Sequence, residues 1–170
     1  MIISPTKALE EGWIFGEDIC KDSIQPNGID FKLDRIFRLD TTPFTLRRDS
    51  KINRKTYEVM PQEVFTLEKN SQYDILTNLK VKLPADIAAT CIIRSSLSRN
   101  GVLLGNGLYD SGYEGTVGTV IHTPGVRVML EQGVRIGQLV IHSAQSAYKY
   151  NGQYQGNMDY WKDEKGIKCK

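Results

Sequence analysis

The stretch DILTNLKVKLPADIAATCIIRSS (residues 74–96) contains two neighbouring apolar segments that decide the fold. Residues 74–83 mix apolar and polar side chains, which predicts a strand. Ile87–Ile93 is more uniformly apolar, which predicts a central strand. Arg94-Ser95-Ser96 follows directly, so polar groups stand where a buried strand ends.

Outward from this stretch the chain also has β patterns. Further strands are predicted at residues 29–34, 62–67, 116–122, 126–131 and 134–142. Turns are marked by the dipeptides at residues 27–28, 100–101, 124–125 and 132–133. Thr6 to Glu11 predicts one short helix, with Ser4 able to cap it, Pro5 at its first position and Gly12 after its end. The pattern predicts a mainly β fold, closed or double-layered, such as a jelly roll, with a short N-terminal helix.

Composition indicates an ordinary globular protein with no strongly charged partner. Of the 170 residues, 40% are hydrophobic and 25% charged, which predicts one domain over residues 1–157 and a polar tail over 158–170. The net charge of +2 gives no general attraction to nucleic acid or membrane, and neither partner is expected. The N-terminus lacks the pattern of a signal peptide and no apolar run is long enough to span a bilayer, so we expect a cytoplasmic protein, in the host cytoplasm if its source is viral.

Cysteine and histidine spacing argues against disulfides and protein-bound zinc. Cys20, Cys91 and Cys169 are far apart and odd in number, which favours free thiols. Cys91 lies in an apolar run and is interpreted as a small buried hydrophobe. His122 and His142 have no partners at zinc-ligand spacing, so we expect no metal site built from protein ligands.

Residues 94–99, Arg-Ser-Ser-Leu-Ser-Arg, offer two guanidinium groups and three hydroxyls at the end of the central strand. Arginine forks, hydroxyls and backbone N–H groups at a turn all favour phosphate oxygens. A helix cap with solvated arginines would explain the same residues. Both interpretations remain open at this level.

Residues 105–115, Gly-Asn-Gly-Leu-Tyr-Asp-Ser-Gly-Tyr-Glu-Gly, contain four glycines that allow a tight hairpin. Its backbone could meet a pyrimidine edge, Tyr113 could pack against a sugar, and Asp110 could act as a general base on water. A glycine-rich turn with a surface aspartate is the alternative, and spacing alone favours it.

Two further segments carry polar groups. Gln138 lies on a predicted buried strand and needs hydrogen-bond partners, which a ligand or a neighbouring strand could supply. Residues 150–156 combine glycine, aromatic residues and amides, which is typical of a mobile binding lid or of a plain surface loop.

In this order, the segments resemble the motifs of the dUTPase and dCTP deaminase superfamily. The resembling segments are residues 24–30, 94–97, 107–115, 135–139 and 150–156, within a resemblance that spans about residues 1 to 157. The resemblance implies a distorted jelly-roll (dUTPase-like) β-barrel. It also implies a homotrimer with active sites at the subunit interfaces. The N-terminal helix and residues 25–30 resemble the deaminase branch.

The residue at position 120 separates the two reactions of the superfamily. Deaminases carry a glutamate at the matching position, where it shuttles protons, and this chain has Val120. Valine can neither accept nor donate a proton. Residues 110–121 resemble the triphosphatase motif, which implies hydrolysis of dUTP to dUMP and pyrophosphate.

The same resemblance implies the roles of the site residues. Asp110 would activate the water that attacks the α-phosphorus, and Mg²⁺ would be held through phosphates and water. Arg94, Ser95, Ser96 and Gln138 would hold the phosphates, while Tyr113 packs against the deoxyribose. Backbone groups of Asn106, Gly107 and Leu108 would meet the uracil. Arg99, Tyr150, Gln153 and Tyr154 complete the predicted substrate-binding set.

Four positions keep other functions open. Asn106 replaces the family's usual alanine, so a pyrophosphatase for dCTP or a modified pyrimidine nucleotide is an alternative. Gln153 and Asn157 replace a lysine and a glutamine of many relatives, which leaves a non-enzymatic binding protein open. Arg99 matches an arginine used by deaminases, so a dCTP deaminase or a bifunctional enzyme is the remaining alternative.

Overall fold

A computed structural model of the chain describes residues 1–61, 63–105, 107–152 and 154–156. Helix α1 is Pro5–Glu10, α2 is Ser95–Ser98, and a 3-10 turn covers Lys21–Ser23. The strands are β1 Ile2–Ile3, β2 Ile14–Gly16, β3 Ile24–Gln25, β4 Gly28–Leu39, β5 Thr45–Leu46, β6 Lys51–Ile52, β7 Thr56–Val59, β8 Phe65–Leu67, β9 Gln72–Lys82, β10 Ile87–Ile93, β11 Leu103–Gly105, β12 Leu108–Tyr109, β13 Glu114–His122, β14 Val128–Leu130 and β15 Arg135–Ser143.

Strand β4 connects the two halves of a curled antiparallel sheet. Its first half pairs with β15, and its second half pairs with β9 and β7. The main path across the sheet runs β11-β13-β9-β4-β15-β10-β12. Register shifts within the β4–β9, β9–β13 and β4–β15 ladders mark irregularities of the kind that bend strands. The curl therefore places the two halves around a shared core.

The core is formed by the alternating apolar side chains of the long strands. It includes Ile29, Phe31 and Leu33 of β4, and it continues through buried residues of β9, β10, β13 and β15. Cys91 belongs to this cluster, and burial raises the pKa of its thiol to about 12. The interpretation of Cys91 as a buried hydrophobe is therefore supported, because a thiol with so high a pKa is unreactive at neutral pH.

The mainly β fold class and the N-terminal helix are confirmed. Residues 29–34 and 74–83 belong to strands that begin earlier than predicted, and the former strand also extends further, to Leu39. The predicted strand at residues 62–67 is shorter, with β8 beginning at Phe65. Ser4 occupies the N-cap of α1, but its side chain makes no capping hydrogen bond.

Gly101 and Gly133 have φ near +79°, as their predicted turns require. Within the part of the chain that the structure describes, no helix has the length and apolarity needed to cross a membrane. The predicted tail at residues 158–170 lies outside the described residues.

Candidate active site

A cavity of about 370 Å³ lies beneath the turn that joins β11 to β12. We call it the hairpin pocket. It is lined by Gly105 and residues 107–110, by Gly118, Thr119 and Val120 of β13, by Asp74 of β9, and by Tyr113, Thr116, Tyr150 and Tyr154. Its volume lies in the range of small-molecule sites. The predicted general base Asp110 shares this cavity with five of the predicted substrate-binding residues, Gly107, Leu108, Tyr113, Tyr150 and Tyr154.

Three residues on adjacent strands form one row across the floor of the pocket. Gly105 is opposite Val120, and Val120 is opposite Asp74. Directly opposed residues of antiparallel strands project from the same face of a sheet. A Cβ added at Gly105 would lie 3.3 Å from Cβ of Val120, so a side chain there would press on the floor.

Tyr109 fixes the hairpin to β13. Its hydroxyl donates to the Gly118 carbonyl at 2.6 Å and accepts from the Gly118 N–H at 3.1 Å. Since Tyr109 directly precedes Asp110, these bonds also hold the backbone that carries the predicted general base.

Asp110 lies at the mouth of the pocket. The backbone carbonyl of Asp110 accepts a hydrogen bond from the Tyr113 N–H at 3.0 Å, which closes a turn. Asp110 is exposed to solvent. Asp110 also lines a second cavity of about 540 Å³ with Ser146, Tyr148 and Asn151. The aspartate therefore stands between the hairpin pocket and an open region that water and phosphate can enter.

Tyrosine side chains form one wall of the pocket. Tyr113 packs against Tyr109 at 5.4 Å and against Tyr150 at 5.6 Å between ring centroids. Burial, with a smaller contribution from Tyr150, raises the pKa of Tyr113 to about 12. Tyr113 therefore offers a neutral ring at neutral pH, as stacking against a sugar would require.

Residues 144–156, where described, lie over the turn of their own chain. The Tyr150 N–H donates to the Ser111 carbonyl at 2.7 Å, and the Gly156 N–H donates to the Glu114 carbonyl at 2.9 Å. Gly112 has φ of +87°, and a Cβ there would lie 2.8 Å from Cβ of Lys149. The close approach therefore needs glycine at this position.

The predicted phosphate-binding residues form a separate group at the end of β10. We call Arg94, Ser95, Ser96, Arg99 and Gln138 the arginine corner. Both serines and Arg99 are exposed, whereas Arg94 and Gln138 are partly buried. Among the described residues, no protein group hydrogen-bonds the Ser95 or Ser96 hydroxyl. The hydroxyls of Ser95 and Ser96 are therefore available to a ligand.

Asp30 lies beneath the arginine corner and is only 1% exposed. Its Oδ2 is 3.4 Å from Nη1 of Arg135 and 3.9 Å from Nε of Arg94. Oδ1 is buried and has no partner among the described residues. The carboxylate holds two guanidinium groups in place without using all of their donors.

Asp110 of the hairpin pocket and Arg94 of the arginine corner lie far apart within one chain. Thr90 of β10 is opposite Leu108. Arg94 lies four residues beyond Thr90, and Asp110 lies two residues beyond Leu108 in the opposite direction. At about 3.3 Å per residue, roughly 20 Å separates their backbones along the strand direction. The predicted site is thus divided into two groups.

Some predicted residues cannot be placed, and the prediction missed others. Asn106 and Gln153 lie outside the described residues. Asp74, Tyr109 and Asp30 were not assigned site roles from sequence. Asp74 carried no signal in the sequence, because the predicted strand began at this residue and an acidic side chain at a strand end can be solvated. Among the described residues no His, Cys, Asp and Glu side chains group as metal ligands.

Comparison with known proteins agrees with the fold and with the family resemblance. Residues 5–144 match the family described as dCTP deaminase-like. The chain is 34% identical over 139 residues to the "Probable deoxyuridine 5'-triphosphate nucleotidohydrolase" of Methanopyrus kandleri, covering 81% of this chain and 90% of that protein. It is 30% identical over 151 residues to a dCTP deaminase of Acidianus ambivalens, covering 87% of each chain.

A solved structure shows the same fold at lower identity. The chain superposes on 2'-deoxycytidine 5'-triphosphate deaminase from Agrobacterium tumefaciens with a TM-score of 0.69 and 16% identity, covering 85% of this chain and 48% of that one. The chain thus spans about half the length of that structure. With a family match that covers most of its sequence and these relatives at 30% identity or more, the chain belongs to the dCTP deaminase-like family.

Proposed function

We propose that this chain is a nucleotide pyrophosphohydrolase that converts dUTP to dUMP and pyrophosphate. The observation that carries the proposal is the placement of Asp110 and Val120. Asp110 stands at the mouth of the hairpin pocket, whereas Val120, with no proton to exchange, occupies the floor where a deaminase would place its glutamate. A general base at the mouth of the pocket is better placed for attack of water on a phosphate than for attack of water on the pyrimidine ring.

In this reaction the uracil enters the hairpin pocket and the triphosphate leaves past Asp110. Asp110 accepts a proton from water as the water oxygen attacks the α-phosphorus. The bond between the α-phosphorus and the bridging oxygen breaks, and pyrophosphate departs. The Tyr113 ring supports the deoxyribose, and the bonds of Tyr109 to Gly118 hold the hairpin against the base.

We also propose that Mg²⁺ accompanies the triphosphate. Since Asp30 is engaged by two arginines and no ligand cluster exists among the described residues, the ion would be held by phosphate oxygens and water. Bound there, it would neutralise charge on the departing pyrophosphate. Asp110 is the described carboxylate placed to orient a water of such a complex.

The division of the site supports assembly of several copies. Roughly 20 Å of backbone separates Asp110 from Arg94 of its own chain, which is a long span for a triphosphate. We propose that the arginine corner of a second copy completes each hairpin pocket, in a homotrimer. The open serine hydroxyls and partly exposed Arg94 are the groups that would meet the phosphates.

The test is to incubate the protein and Mg²⁺ with dUTP and, separately, with dCTP, and to measure pyrophosphate and ammonia. We expect pyrophosphate from dUTP and no ammonia from dCTP. Ammonia from dCTP would refute the assignment, and no product from either nucleotide would indicate a binding protein.

dCTP deamination is the second candidate, since a specific observation favours it. Asp74 places a carboxyl group beside Val120 on the pocket floor, where proton transfer to the ring is needed. The similarity to the dCTP deaminase of Acidianus ambivalens is of the same order as that to the nucleotidohydrolase. Hydrolysis remains our proposal because an aspartate is shorter than the glutamate it would replace and stands on a different strand.

A further inference from the structure

Asp74 is a carboxyl group in the base pocket that the proposed hydrolysis does not use. It lies inside β9 and lines the hairpin pocket. Its side chain shares a face with Val120 because the two residues are directly opposed. On its other side it opposes Phe37 of β4, which is buried. The Asp74 carboxyl group therefore lies between Val120 and Phe37 on neighbouring strands and faces the pocket.

The row across the floor fixes where a base would lie. Gly105 and Asp74 are two strand spacings apart, about 10 Å. A pyrimidine ring with a hydrogen bond on either edge has roughly that breadth. A ring lying over Val120 would therefore contact the hairpin with one edge and Asp74 with the other.

We propose that Asp74 recognises the edge of the pyrimidine that carries C4. A neutral carboxyl group donates its O–H to the 4-oxo oxygen of uracil and accepts the N3–H on its carbonyl oxygen. An ionised carboxylate would repel the 4-oxo oxygen but could still accept from the 4-amino group of cytosine. Asp74 is thus a specificity residue whose protonation decides which base is preferred. The inference rests on the proposed pyrimidine nucleotide site.

The surroundings of Asp74 support a neutral carboxyl group near neutral pH. Burial raises the pKa of Asp74 to about 7. The nearest cation on the same face of β4, Arg35, is engaged by Glu58 of β7 at 2.7 and 2.8 Å. The other titratable groups on elements around the pocket include Glu114 and His122 of β13, Lys80 and Lys82 of β9, Arg38 of β4, Asp110 of the hairpin, and Tyr109, Tyr113, Tyr150 and Tyr154.

The test measures binding rather than turnover, so that it does not depend on hydrolysis. The α,β-imido analogues of dUTP and dCTP are titrated into the wild-type protein, Asp74→Asn and Asp74→Leu, between pH 6 and 9. An asparagine can make the same two hydrogen bonds at every pH, whereas a leucine makes neither. Melting temperatures of both variants confirm folding, and Asp49→Asn, an exposed position, is the matched control.

We expect the dissociation constant of wild type for the dUTP analogue, relative to that of Asp74→Asn, to rise about tenfold between pH 7 and 8.5. Over the same pH range, the preference of wild type for the uracil analogue over the cytosine analogue should fall. The preference of Asp74→Asn should not change. Asp74→Leu should bind the uracil analogue about tenfold or more weakly than Asp74→Asn throughout, as expected for lost hydrogen bonds.

Equal affinities and equal pH profiles of wild type, Asp74→Asn and Asp74→Leu would overturn the inference. So would ammonia release from dCTP that Asp74→Asn abolishes, because Asp74 would then transfer protons to the ring. If neither analogue binds any of the proteins, the pyrimidine nucleotide site itself is wrong. If binding follows the expected pattern without pyrophosphate release, only the proposed hydrolysis fails.

Discussion

The hairpin pocket and the arginine corner differ in how far one chain completes them. The pocket is lined by its own hairpin, strands β9 and β13 and the segment over residues 144–156, and Tyr109 holds the hairpin against β13. The arginine corner is open, and the hydroxyls of Ser95 and Ser96 have no protein partner among the described residues. One chain therefore closes the hairpin pocket with its own residues and leaves the arginine corner open.

The two regions also treat their buried carboxyl groups differently. Asp30, under the corner, is 1% exposed and lies between two arginines, so it serves as a counter-ion. Asp74, in the pocket, is bordered by apolar residues, and burial raises the pKa of its carboxyl to about 7. Asp30 therefore orients the arginines beside it, whereas Asp74 faces a cavity.

Asp110→Asn gives the largest expected effect and tests whether chemistry belongs to the pocket region. Asparagine keeps the shape but cannot act as a base, so kcat for dUTP should fall about 10²- to 10⁴-fold. Steady-state pyrophosphate release measures the change, and titration with the dUTP analogue checks that binding persists. Retention of most of the activity would move the general base elsewhere. Asp49→Asn is the control.

The pH dependence of stability tests the environment of Asp74 without any ligand. Because burial raises the pKa of the Asp74 carboxyl from an ordinary 3.8 to about 7 in the folded protein, the folded state holds this proton more tightly than the unfolded state. Its contribution to the free energy of unfolding is therefore complete below about pH 4, is lost as the pH rises to about 7, and then stays constant. Urea unfolding of wild type and Asp74→Asn should show a difference that changes by about 1 kcal/mol per pH unit in that window. A difference in the free energy of unfolding that does not depend on pH would contradict a raised pKa of the Asp74 carboxyl group.

Arg94→Ala tests whether the arginine corner binds the phosphates. Loss of a charge-assisted phosphate contact should raise KM for dUTP about 10- to 100-fold and lower kcat less. Arg127→Ala, which removes an exposed arginine paired with Glu68 and not assigned to the site, is the matched control. In a composite site, mixing Arg94→Ala with Asp110→Asn protein should give more activity at low dUTP than the two variants give separately, because mixed trimers contain pockets with both wild-type residues. No recovery after subunit exchange would favour a site within one chain.

Tyr109→Phe is the smallest change and tests how the hairpin is held. The variant leaves the N–H and carbonyl of Gly118 without their hydroxyl partner, which should cost about 1–2 kcal/mol of the free energy of unfolding. Chemical denaturation measures this loss. Tyr148→Phe, in which the lost hydroxyl belongs to an exposed side chain, should change stability by less than about 0.5 kcal/mol. Equal effects of the two variants would show that the hairpin does not depend on Tyr109.

Much of the fold could be predicted because strand and helix signals are local. The alternation at residues 29–34 and the apolar run at Ile87–Ile93 require only the period of a half-buried strand or the continuity of a buried one. Strand ends were less accurate: β9 begins at Gln72, so Asp74 lies inside the strand rather than at its start. The shift changes its interpretation, because an acidic residue at a strand end can be solvated whereas one inside faces a sheet surface.

By itself, the sequence determined the β class, the order of the motifs and the absence of a proton-transfer group at Val120, since these depend on residue identity and spacing. The tertiary structure decided which residues meet. It placed Asp74 beside Val120 through strand pairing between residues 46 positions apart, and it separated Asp110 from Arg94, which is only 16 positions away. Strand pairing sets the distances between these residues, and burial sets the pKa of Asp74. Neither can be read from the local sequence.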